Sequence, residues 1–179
     1  MQRRELLISA GTLLSAGAVW AAVRDLPAGA PPPGADAESR DFVEQICDIV
    51  IPDSDTPGAR RAGVPVFFFL ALAHGLAGTE AADIGRLREQ LGTAAGKQVH
   101  KLDRHELQNL IAGIDAGAYQ DKTSVWPRLK RVVIMGYYTS QIGASQELQY
   151  SPVPGRFDPD VPVTPTSRAS SNDWVGQQF

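Results

Sequence analysis

Five stretches of the chain carry apolar residues at helical spacing. In "ESRDFVEQICDIVIP", Phe42, Val43, Ile46, Cys47, Ile49 and Val50 fall on one broad face, the pattern of an amphipathic helix. Pro52 ends it, because the residue before a proline is pushed out of the helical region. "PDSDTPGARRAGVP" is made of turn residues and is predicted as a loop. "PVFFFLALAHGLAG" follows with Pro65 in its first turn. It is apolar nearly all round, so it is the expected central, buried helix. "TEAADIGRLREQLGTAAGKQVH" gives a third helix with a clear polar face. "LDRHELQNLIAGIDAG" opens with Asp103 three residues before Glu106, a capping box, and gives a fourth. "TSVWPRLKRVVIMGYYTSQIG" is the fifth: Ser124 can cap it, Pro127 suits its first turn, and Gly143 can end it. No run alternates with a period of two, and no repeat recurs at 20–50 residues. The expected fold class is all-α, a small bundle of about five helices.

The prolines mark where the bundle stops. Of thirteen, nine lie before Gly34 or after Tyr150. "LPAGAPPPGADA" reads as a stiff, extended linker. The expected organisation is an N-terminal segment over 1–25, a linker over 26–37, the bundle over 38–149 and an extended tail over 150–179.

The N-terminal segment changes the picture from fold to destination. "MQRRELLISAGTLLSAGAVWAAV" places Arg3 and Arg4 before eighteen uncharged residues, Leu6 to Val23. A basic start and an apolar run are the layout of a bacterial export signal. The adjacent arginines and the modest hydrophobicity resemble a twin-arginine signal, whose pathway carries proteins already folded. Two outcomes stay open. The segment is removed after export, or it remains as an anchor, since eighteen uncharged residues just reach across a bilayer. "AGA" at Ala28 to Ala30 has the small-x-small form of a cleavage site, but Pro31 follows it. The expected location is the periplasm, at the cytoplasmic membrane.

Composition narrows the chemistry. The net charge is −3, so there is no electrostatic footprint for nucleic acid. The single cysteine, Cys47, cannot form an internal disulfide. It lies on the apolar face of the first helix, where a thiol is expected to be packed and inert. His74, His100 and His105 do not pair at metal-ligand spacing. Asp53 and Asp55 lack the later oxygen ligands of a calcium loop and read as local turn formers. No catalytic, cofactor or metal site is recognised.

The unusual feature is aromatic. Tyr137 and Tyr138 are expected to project from the end of the fifth helix. Leu148, Tyr150, Pro152, Pro154 and Phe157 follow, and Trp174 and Phe179 lie near the end. Aromatic side chains bury much area at low entropy cost, and proline keeps an unbound segment extended, which lowers the cost of docking it. These residues are the candidate partner interface. Tyr137 to Tyr150 fit equally well folded back over the bundle.

"ICDIVIPDSDTPGARRAGVPVFF", "WPRLKRVVIMGYYTSQIGASQELQYSPVPGRFDPDVP" and the paired arginines together resemble the gluconate 2-dehydrogenase subunit 3 family. These are the small, or gamma, subunits of bacterial flavin dehydrogenases for sugars and polyols. The resemblance implies a non-catalytic small subunit. FAD would sit in a large partner subunit, and a multihaem cytochrome c often takes the electrons. The small subunit would carry the export signal, with Arg3 and Arg4 bearing that role, and would escort and stabilise its partner. Two rivals stand beside it: a stand-alone periplasmic enzyme with an unrecognised acid–base pair, and a structural module anchored by residues 6–23.

Overall fold

A computed structural model describes residues 15–26, 32, 35–118, 120–121, 123–151, 160, 162–165 and 167. Among these residues the regular structure is helical, with no strand. The chain is all-α, as its periodicity requires. Six α-helices organise it: α1 (Ser15–Asp25), α2 (Ala37–Val50), α3 (Val64–Ala73), α4 (Asp83–Ala95), α5 (Arg104–Gly117) and α6 (Trp126–Thr139).

The helix ends follow local chemistry. Asp36 caps α2, accepting from the Ser39 amide at 2.7 Å. Asp103 and Glu106 form the expected capping box on α5, with bonds of 2.8 and 3.0 Å, so two amides left over at the first turn are satisfied reciprocally. Ser124 Oγ accepts from the Trp126 amide at the start of α6, at 3.3 Å.

α3 is the central helix. Phe67, Phe68, Phe69, Leu70, Ala71 and Leu72 are all buried, because α1, α2 and α6 pack around it. Gly136 of α6 lets the two backbones approach: a Cβ there would stand 2.7 Å from the Phe67 ring. α2 contributes Phe42, Val43, Ile46 and Cys47 to the same core, and α4 and α5 add Leu87, Leu91, Leu107 and Ile111.

Two elements depart from expectation. α6 ends at Thr139, four residues before Gly143, because Ser140 turns to an extended conformation. A single π-helical turn, Gly143–Glu147, follows. The second departure is α1. Part of the N-terminal segment, expected as an export signal separate from the bundle, is a helix lying on α3 and α6, with Val19 buried at 3% exposure. Arg3, Arg4, Pro152, Pro154, Phe157, Trp174 and Phe179 lie outside the described residues.

Candidate partner-docking surface

The loop between α2 and α3 and the segment after α6 meet at one end of the bundle. The loop folds into a hoop around its own polar groups. Ala59 N donates to Ile51 O at 2.9 Å, and Asp53 Oδ1 accepts from Gly58 N at 2.6 Å. The Asp53 carboxylate thus serves the turn, as its loop position suggests. The hoop turns Thr56 and Pro57 inward. Tyr137 reaches them from α6: its hydroxyl donates to Pro57 O at 3.1 Å and lies 3.4 Å from Thr56 Oγ1. Thr56 Oγ1 donates to Glu147 Oε2 at 2.8 Å. Each hydroxyl has one hydrogen, and both are already directed elsewhere. The 3.4 Å approach between them therefore adds little.

The π turn locks this joint. Ser140 Oγ donates to Tyr137 O at 2.6 Å and accepts from Gly143 N at 3.0 Å. Leu148 N donates to Gly143 O at 3.0 Å, and Tyr150 N to Ala144 O at 2.8 Å. Gly143 is demanded by sterics, because a Cβ there would sit 2.0 Å from Tyr137 O. Its role is to let the chain double back against α6. The direction in which residues 150–151 leave the bundle is set by these bonds.

Tyr137 corrects the sequence expectation. It does not project; it is buried, at 2% exposure. Neighbours on a helix point about 100° apart, and here that rotation turns one ring of the pair inward and the other outward. Tyr137 lies on the face of Trp126, Leu129 and Val133, which are all buried, while Tyr138 shares the outer face with Ile134. The Tyr138 ring is 38% exposed and stands edge-on to Tyr137, with centroids 5.2 Å apart. Leu148 is half-buried and Tyr150 is exposed. The candidate surface among the described residues is therefore Ile134, Tyr138, Leu148 and Tyr150. Ile134 carries no signal of its own in the sequence, because it lies inside the apolar run Val132–Met135, whose other members read as core, and only the helix's placement shows that it faces out with Tyr138.

The opposite end of the bundle is organised by charge. Asp83 is fully buried, and Arg128 grips it bidentately at 2.6 and 2.7 Å. Arg86 adds 2.9 Å and the Glu80 amide 2.9 Å. Burial pushes this carboxyl up, but the donors of Arg128, Glu80 and Arg86 together outweigh it and hold the group below the ordinary carboxylate range. Nearby, a cleft of about 690 Å³ is bordered by Glu38, Arg88, Lys97 and His100. Arg88 pairs with Glu38, and Lys97 with Glu106. Cys47 is sealed in the core, and burial, then Asp48 and Glu44, push its thiol far up, so it holds its proton. Among the described residues no group of three His, Cys, Asp or Glu side chains is placed to hold a metal ion. No single described helix is long and apolar enough to cross a membrane.

A family model described as Gluconate 2-dehydrogenase subunit 3 matches residues 37–155. The match begins at the first residue of α2 and ends just beyond the joint, so it covers the bundle and both passages that meet there, and leaves α1 outside. Comparison with curated proteins finds no match, and comparison with solved structures finds none.

Proposed function

The chain belongs to the gluconate 2-dehydrogenase subunit 3 family, an accessory subunit of a dehydrogenase complex, and from that premise we propose that it is the non-catalytic escort of an exported flavin subunit. The large subunit carries FAD and oxidises a sugar or polyol; a multihaem cytochrome c is a further member of the assembly. The small subunit holds the large one through Tyr138, Leu148, Tyr150 and the tail beyond, including Pro152, Pro154, Phe157, Trp174 and Phe179. Arg3 and Arg4 address the pair to the twin-arginine pathway and so to the periplasm. A flavoprotein that must bind FAD before export needs a route for folded proteins, and a partner bearing the signal supplies it.

The observation that carries this reading is the family match over the bundle. The exposed apolar pair Ile134 and Tyr138 supports it, being a surface the chain leaves in water at 37% and 38% exposure. Purification of the tagged chain from its own host is the test. A bound large subunit with the visible absorption of FAD, in fixed stoichiometry, is the expected result. A monomer that purifies alone and turns over a substrate unaided would replace the escort with a stand-alone enzyme. Replacing Arg3 and Arg4 together by lysine, which lacks the planar fork, is expected to strand both subunits in the cytoplasm. Normal periplasmic dehydrogenase activity in that variant would remove the export role.

A further inference from the structure

α1 rests on the core through Val19, with Ala16, Trp20, Ala22 and Val23 packed beside it. Val19 is buried, and the Trp20 ring packs on Phe67 of α3 with centroids 5.1 Å apart. Trp20 Nε1 donates to Thr139 Oγ1 of α6 at 3.0 Å, while that hydroxyl donates to Met135 O at 2.6 Å. The rest of the helix is mostly alanine, glycine and serine. It does not fill its seat: a cleft of about 530 Å³ remains beside Trp20, Val23, Ala62, Thr139 and Ile142. Yet Phe67, which it helps to cover, is 0% exposed. If α1 left alone, this apolar seat would face water.

We propose that α1 and the flavin subunit compete for the α3–α6 face, so that capture of the flavin subunit releases the N-terminal segment for export. This rests on the escort reading above. Three observations carry it. α1 belongs to the segment that follows Arg3 and Arg4, yet it is docked on the folded bundle. It lies outside the family's matched span, so it is an addition to the domain and not one of its helices. Its seat on α6, at Thr139, lies one position round the helix from the exposed Tyr138, so a large body covering Tyr138 meets the edge of Trp20. Departure of α1 by itself exposes apolar surface, whereas departure coupled to a new cover does not. α1 therefore stays docked until a partner takes its place, which withholds an unloaded escort from export.

Hydrogen exchange on the full chain, free and bound to its flavin subunit, tests the competition. In the free chain the amides of 18–25 are expected to exchange at least tenfold more slowly than in an unstructured peptide. Binding should remove that protection at least tenfold while protection of α2 and α3 persists. Unprotected amides in the free chain, or protection retained in the complex, would overturn the proposal. Trp20→Ala removes the stacking and the hydrogen bond together. It should free the segment without the partner and allow export of the small subunit from cells lacking the flavin subunit, where the unaltered chain stays inside. A Trp20→Ala chain that is undocked by exchange but still needs the flavin subunit for export would also sink it. Failure of the underlying reading looks different: no complex forms at all, or the double-lysine variant is exported normally.

Discussion

The two ends of the bundle solve the same problem with opposite chemistry. At the α4–α6 end, Asp83 is buried and satisfied by Arg128, Arg86 and the Glu80 amide. Every charge named there has a partner within the chain. At the loop–α6 end, the joint is built from hydroxyls, a carboxylate and a tightly turned glycine. Its inner ring, Tyr137, is fully used, while Tyr138 and Tyr150 beside it stay exposed. The first end is closed on itself and contributes stability. The second is rigid within and apolar without, which suits a surface that must be presented in one shape to another molecule. Preorganisation of this kind lowers the entropy cost of docking.

Gly143→Ala should break the second end most. The added Cβ collides with Tyr137 O at 2.0 Å, a backbone atom that cannot rotate away. The π turn must open, and the Glu147–Thr56 and Tyr137–Pro57 bonds must shift with it. The expected loss is about 3 kcal/mol, in the range of overpacking and strain at a special backbone position, read from the midpoint of urea unfolding. A loss below about 0.5 kcal/mol would mean that the joint yields easily and does not set the geometry of the surface.

Asp83→Asn breaks the first end. It leaves Arg128 and Arg86 without their carboxylate. Removing one member of a buried pair costs about 3–5 kcal/mol, and about 2–3 kcal/mol is expected here, because Arg128 keeps part of its side chain in water. The pH dependence has a definite sign. The folded carboxyl titrates below its unfolded value of about 3.9. Its contribution is therefore complete above the unfolded pKa and is lost as pH falls through the depressed folded value. Unfolding followed from pH 7 to pH 2 should show the unaltered chain losing its advantage over Asp83→Asn below about pH 4. An advantage that stayed constant to pH 2 would show that the Asp83 charge is not what holds this end.

The difference between the ends also explains what the sequence made legible. Helices are periodic, so α2 to α6 could be read directly, and the Asp103–Glu106 box gave the start of α5 to the residue. The apolar run Phe67–Leu72 announced a central helix because no face was left for water. Three things were not readable. The adjacent tyrosines looked like one feature, but helical rotation sends Tyr137 to the core and Tyr138 to solvent. The meeting of Thr56, Tyr137 and Glu147 joins positions 81 and 91 residues apart, with no local signature to announce it. α1 has a composition that suits an export segment, and its docking depends on Val19, Trp20, Val23 and small alanines finding a seat made by distant helices.

Removing the tail is expected to separate contact from stability. A chain ending at Gln149 keeps every helix named above, so its circular dichroism should be unchanged. Capture of the flavin subunit should weaken about tenfold, equivalent to about 1.4 kcal/mol. Equal affinity in gel filtration would assign the contact to the α6 surface alone.

Tyr138→Ala is the smallest and sharpest of these changes. The side chain is 38% exposed and makes its ring contact with Tyr137 from outside. Its loss should cost the free chain no more than about 0.5 kcal/mol, as for a surface substitution. Against the flavin subunit the same change removes an aromatic anchor from a rigid support, and such anchors cost more than about 1 kcal/mol when truncated, roughly a fivefold weaker complex. Tyr137→Phe is the contrast one position away. It deletes the hydroxyl that donates to Pro57 O, so it should lower stability by about 1 kcal/mol while leaving affinity per folded molecule near its original value. Denaturation and binding measured on both variants decide the matter. If Tyr138→Ala destabilises and Tyr137→Phe weakens capture, the assignment of inner and outer rings at this end is reversed.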